Sequence, residues 1–159
     1  MFPVERKVVL LVVAVSALGA ASALAVRAEE PKQGHEASEK VPATLDGIWH
    51  EVQEHHQQLE SSIKNRQLSS VHEDAFHIRD LVAAMADKSA MLPTANLEKV
   101  KTSAKFLATL AGRLDESGDA NDQARTEAVY AKFSDLLKTI EAQYPPEALK
   151  YKGTSGEKE

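Results

Sequence analysis

The chain has 159 residues, 43% of them hydrophobic and 27% charged, with a formal net charge of −5 and no cysteine. That length suits one globular domain with a real core, and the acidic balance leaves no electrostatic footprint for nucleic acid or anionic lipid. The lack of cysteine excludes disulfides, thiolate metal sites, cysteine nucleophiles and covalent CxxCH haem attachment.

The N-terminus stands apart from the domain. Arg6 and Lys7 form a short basic region, Val8 to Leu18 is apolar apart from Ser16, and Gly19-Ala20-Ala21-Ser22-Ala23 is a run of small residues. That is the anatomy of a secretory signal, with cleavage points after Ala25 or Ala28. The alternative is an uncleaved anchor, because Val8 to Val26 approaches the roughly 20 residues that span a bilayer. Either way the rest of the chain is expected to be periplasmic or otherwise exported, touching a membrane only if the segment is uncleaved. Loss of residues 1–28 leaves 16 basic and 23 acidic residues, a net charge of −7. Such a surface tolerates cations.

Residues 29–42 are polar, carry Pro31, Gly34 and Pro42, and read as a flexible tether. A second polar stretch starts at Pro145-Pro146, so the folded unit is expected over 43–145, with residues 146–159 as a tail. Within that unit helical spacing occurs four times and strand-like alternation never. Helix one begins behind Thr44 as N-cap and repeats Leu45, Ile48, Trp49, Val52, Leu59 and Ile63, breaking at Asn65-Arg66-Gln67. Helix two starts at a Ser70-Val71-His72-Glu73 capping box, or slightly earlier at Leu68, and repeats Val71, Ala75, Ile78, Val82 and Met85. Helix three follows Pro93 with Thr94 as cap and repeats Leu97, Val100, Ala104, Leu107, Ala111 and Leu114. Gly118-Asp119 then supplies a left-handed stop and a new cap. Helix four aligns Tyr130, Phe133, Leu137, Ile140 and Tyr144, and Pro145-Pro146 ends it. Four helices with short connections pack most simply as an all-α, up-down-up-down antiparallel four-helix bundle.

All six histidines lie in the first half: His35 in the tether, and His50, His55, His56, His72 and His77 on the first helical hairpin. Imidazole is the commonest protein metal ligand. On helix one, His55 takes a heptad position where leucine is expected, and His56 falls near the centre of the apolar face at about 100° per residue. His50 and His77 read as outward. An antiparallel hairpin about residue 66 sets His56 level with Ala75 and His72 level with Leu59, so His56 and His72 stand about one turn, roughly 4–5 Å, apart in height. Glu51 with His55, and His56 with Glu60, are each four apart and share a helix face. The expected metal site is therefore His55, His56 and His72, assisted by Glu60 or Glu51. Such ligands suit copper(II), zinc or nickel.

Other features carry less. Trp49 sits on the core stripe, Met85 and Met91 flank the turn into helix three, and Arg79 is a candidate for an inward carboxylate or anionic ligand. Asp115, Glu116, Asp119 and Asp122 gather at one loop without calcium-loop spacing. No HExxH, GxSxG, Ser-His-Asp order or phosphate-binding glycine loop occurs, so no enzyme is expected.

Helix one from Leu45 to Ile63, the Val71, Ala75, Ile78-Arg79 run, and the final helix from Ala124 to Tyr144 resemble the soluble periplasmic cytochrome b-562 family of four-helix bundles. That family holds haem with a methionine near the start of its first helix and a histidine near the end of its last. Here the first position is about Trp49, beside His50, and Glu141-Ala142-Gln143 has no histidine. The resemblance thus implies the fold without the haem ligands. In composition and architecture the chain also looks like accessory proteins of bacterial metal-efflux systems. Three functions follow as expectations: a transition-metal buffer or sensor, a b-type haem carrier built on other ligands, or a structural, partner-binding bundle.

Overall fold

The computed structural model describes residues 41–152; the signal segment, most of the tether with His35, and residues 153–159 lie outside the described residues. The described chain is all-helical. It is a four-helix bundle of α1 (Leu45–Lys64), α2 (Val71–Asp87), α3 (Thr94–Asp119) and α4 (Gln123–Glu141), with short 3-10 turns at Leu68–Ser70 and Pro146–Ala148. Each helix packs on the next, and α1 also meets α4.

Local chemistry sets most of the boundaries. Thr44 has extended backbone and its Oγ1 accepts the Gly47 N–H at 3.3 Å, the N-cap arrangement that satisfies an orphan donor. After α1 the chain turns at Arg66, whose φ of 59° is left-handed. Three capping expectations change. Ser70 has helical backbone, and its hydroxyl donates to the Gln67 carbonyl at 3.0 Å, so the capping box does not form. The chain instead enters α2 through the 3-10 turn that starts at Leu68. Pro93, extended, occupies the cap position of α3, and Thr94 is the first helical residue.

The third change concerns Gly118-Asp119. Helix α3 runs straight through both, the left-handed residue is Asn121 (φ 50°), and Asp122 caps α4 by accepting the Arg125 N–H at 3.0 Å. Gly118 serves packing instead: a Cβ there would lie 2.6 Å from both the Leu68 carbonyl oxygen and Val71 Cγ2. Only glycine lets α3 approach the entry to α2 so closely.

The core runs the length of the bundle. Ile48, Val52, Leu59, Val71, Ala75, Ile78, Val82, Met85, Val100, Leu107, Leu114, Phe133 and Ile140 are all buried, each worth roughly 1.5–3 kcal/mol for the larger side chains. Trp49 is core, and Met85 is a gap filler while Met91 is exposed. Contacts between the ends tie the helices together. The Gln123 side chain donates to the Ile63 carbonyl at 2.9 Å, joining the start of α4 to the end of α1. The Asn96 side chain donates to the Gln143 carbonyl at 3.0 Å, joining the start of α3 to the end of α4.

Packed chain also continues past residue 145, into the stretch that reads as polar tail. Leu149 is buried, the Tyr151 ring stacks on His50 at 4.0 Å, and the Lys152 N–H donates to Asp46 at 3.3 Å. Tyr144, beyond the end of α4, is buried beside Ser89. The Ser89 hydroxyl lies 2.6 Å from both the Met85 carbonyl and the Tyr144 oxygen. A carbonyl only accepts, so Ser89 donates to Met85 and Tyr144 donates to Ser89. Among the described residues, no helix is long and apolar enough to cross a membrane.

Candidate functional site

Adjacent residues on a helix point about 100° apart. His55 and His56 therefore cannot serve the same seam, and they do not. His55 turns toward α2, where its Nδ1 lies 2.9 Å from Asp74 Oδ1. Both side chains are largely shielded, at 16% and 13% exposure. An ionised carboxylate can only accept, so Nδ1 is the donor in this contact. The His55 ring also stacks on that of His77, with centroids 4.7 Å apart and planes 15° from parallel.

His56 turns toward α4. Its Nε2 is 3.1 Å from the Tyr130 hydroxyl and the two rings stack at 5.4 Å. Burial pushes its pKa below the ordinary 6.5; the Glu60 carboxylate opposes that shift and Lys138 adds to it. Burial, with Glu60 again contributing, pushes the Tyr130 phenol up to about 12, against a hydrogen bond from Ser134. The pair is neutral near pH 7.

His72 lies edge-on to Phe76 at 6.5 Å, one turn along its own helix. Glu60 is ion-paired with Lys64 at 2.9 Å, which holds its carboxyl below the usual range. Glu51 stands one turn before His55 on α1. His50 contacts Glu54 at 3.5 Å as well as Tyr151. Among the described residues, no group of three or more histidine, aspartate or glutamate side chains is arranged to hold a metal ion. The expected convergence of His55, His56 and His72 is thus replaced by three separate surroundings, because the 100° step sends His56 to the other side of α1 and Phe76 engages His72.

Two participants of the α1/α2 seam escaped the sequence pattern: Asp74, and His77, which reads as outward from the apolar stripe of its own helix. The hairpin register held the signal. A pairing that sets His56 level with Ala75 sets His55 level with Phe76, next to His77.

The remaining candidates have local roles. Arg79 makes a two-point contact with Asp80, at 2.7 and 2.9 Å, and its guanidinium lies 4.5 Å from the Phe76 ring centre. Glu116 pairs with Arg125 at 2.9 Å. A cavity of about 630 Å³ lies between α1 and α4, lined by Trp49, Gln53, Lys138, Glu141, Tyr144 and Leu149 among others, and no histidine faces it. Its lining offers neither a nucleophile–base pair nor metal ligands in number.

No protein-family model, no curated protein and no solved structure matches this chain. The likeness to the cytochrome b-562 family therefore rests on the helical pattern alone.

Proposed function

We propose that this chain is an exported, non-enzymatic bundle, running up-down-up-down, that binds a divalent transition metal ion weakly through imidazoles of its first hairpin. It would act as a buffer or sensor in metal handling, with components of a metal-efflux system as partners. The end-to-end contacts of Gln123 with Ile63 and of Asn96 with Gln143 support the alternating helix directions.

One observation carries the metal reading: the rings of His55 and His77, from facing helices, lie 4.7 Å apart. An imidazole binds an ion in its own ring plane, at about 2.0–2.1 Å from nitrogen, so these two rings, stacked 15° from parallel, would have to turn about their side-chain bonds to share one ion. The ligand pair moves from the expected His55, His56 and His72 to His55 and His77, with water completing the shell. Two protein donors imply modest affinity and easy release, as a buffer requires. Imidazole donors suit copper(II), zinc and nickel.

Calorimetric titration of the purified protein with each ion tests this. Binding in the micromolar range, lost in the His55→Ala/His77→Ala double variant and kept in His56→Ala, is the expected result; no binding of any of the three ions sinks it. A second reading, a partner-binding bundle without ligand, is favoured by the His56–Tyr130 and His72–Phe76 contacts, which need no metal. It predicts a thermal midpoint indifferent to added cation. A Soret band in protein taken from the periplasm would instead support the haem carrier.

A further inference from the structure

A buried indole usually gives its N–H to an acceptor, because a donor withdrawn from water and left unpaired costs free energy. Trp49, the single tryptophan of the chain, is only 4% exposed, and among the described residues nothing accepts from its Nε1–H. The space beside it is the cavity of about 630 Å³ between α1 and α4, a volume in the range of small-molecule sites. The other lining residues sort by chemistry. Tyr144 and Leu149 are buried, and the Tyr144 hydroxyl is committed to Ser89, so these two offer apolar surface. Lys138, Glu141 and Lys150 are exposed and bring two ammoniums against one carboxylate. Lys138 meets Asp135 at 3.1 Å only as a solvent-exposed pair, which holds it loosely, and Lys150 makes no ion pair among the described residues.

The cavity is therefore apolar where it is buried and net positive where it is exposed, in a chain whose overall charge is −5. Part of its wall comes from chain beyond α4. Leu149 and Lys150 are brought to α1 by the stretch that stacks Tyr151 on His50 at 4.0 Å and donates the Lys152 N–H to Asp46 at 3.3 Å.

We infer that this cavity binds a small amphipathic carboxylate, its apolar body against Trp49, Tyr144 and Leu149 and its head among the N–H donors of Lys138, Lys150 and Trp49. The site uses none of the histidines, so it stands or falls separately from the metal reading.

The test titrates the full chain with decanoate and, separately, with decylammonium, which has the same alkyl length and the opposite charge. Emission of Trp49 reports binding directly, because no other tryptophan contributes. Saturable binding of decanoate, about tenfold tighter than that of decylammonium, is expected against the acidic balance of the whole chain. The Lys138→Gln/Lys150→Gln variant, changed only at exposed positions, should weaken decanoate about tenfold and leave decylammonium no weaker. Ala142→Phe, at an exposed position of the lining, should weaken both by filling space. No saturable change with decanoate, equal affinity for the two probes, or decanoate affinity unchanged in either variant overturns the site.

Discussion

The α1/α2 seam and the α1/α4 seam draw on adjacent residues of one helix and carry different chemistry. At the first, His55 meets a carboxylate at 2.9 Å and a second imidazole at 4.7 Å. At the second, His56 meets a neutral phenol at 3.1 Å, and burial holds the imidazole uncharged. The first arrangement collects groups that favour a cation; the second excludes charge. Closeness in sequence is therefore a poor guide to shared function on a helix, where one residue step changes the neighbour.

The largest expected effect comes from loosening both seams at once. Leu59 is fully buried on the same helix, so Leu59→Ala is expected to cost about 2–5 kcal/mol, measured by urea denaturation. A smaller loss would mean that the interior around α1 collapses to fill the space.

Metal linkage separates the seams. Zn(II) at about 100 times its dissociation constant should add about 2.7 kcal/mol to the stability of the wild type and of His56→Ala, and nothing to His55→Ala/His77→Ala. Thermal melts with and without Zn(II) check this, and equal shifts in all three proteins would erase the distinction.

Gly118→Ala sharpens the comparison from outside the site. The added methyl would meet the Leu68 carbonyl and Val71 at 2.6 Å, so α3 must back away from the start of α2. A net loss of about 1–3 kcal/mol is expected, despite alanine's better helix propensity, with the His55–Asp74 contact disturbed more than His56–Tyr130. Thermal melts read the cost. Chemical shifts of the two histidines read its distribution, and an effect confined to His56 would contradict the packing described.

The smallest effect is the pH dependence of the α1/α4 seam. His56 has a folded-state pKa below the ordinary 6.5, so folding favours its neutral form. Its contribution to stability is intact above pH 6.5 and is lost as pH falls from there through the lowered folded value. His56→Gln should flatten that part of the curve of urea midpoint against pH. An identical slope in the variant would show that His56 does not titrate in this way.

Much of the fold was legible in the sequence. Apolar residues at three- and four-residue steps mark each helix because the α-helix repeats every 3.6 residues, and Thr44 caps α1 as its type suggests. Ser70 and Thr94 misled for one reason: a hydroxyl residue before a helix is a local cue, and Leu68 and Pro93 set the chain's path first. Gly118 misled for another. Glycine marks helix ends by its conformational freedom, yet here its missing side chain is what matters. Of the site, His55 could be singled out as an imidazole on a leucine position. Its partners Asp74 and His77 could not, since α2's own apolar stripe gives no reason to turn either toward α1.

By itself the sequence determined four helices, where α1 begins, and an imidazole at a core position of α1, because backbone periodicity and capping act over a few residues. Tertiary structure alone decided which imidazoles meet, that Gly118 opens a path for α2, and that residues 146–152 fold back along α1. Those outcomes depend on the register and rotation of one helix against another, which packing sets from residues far apart in the chain.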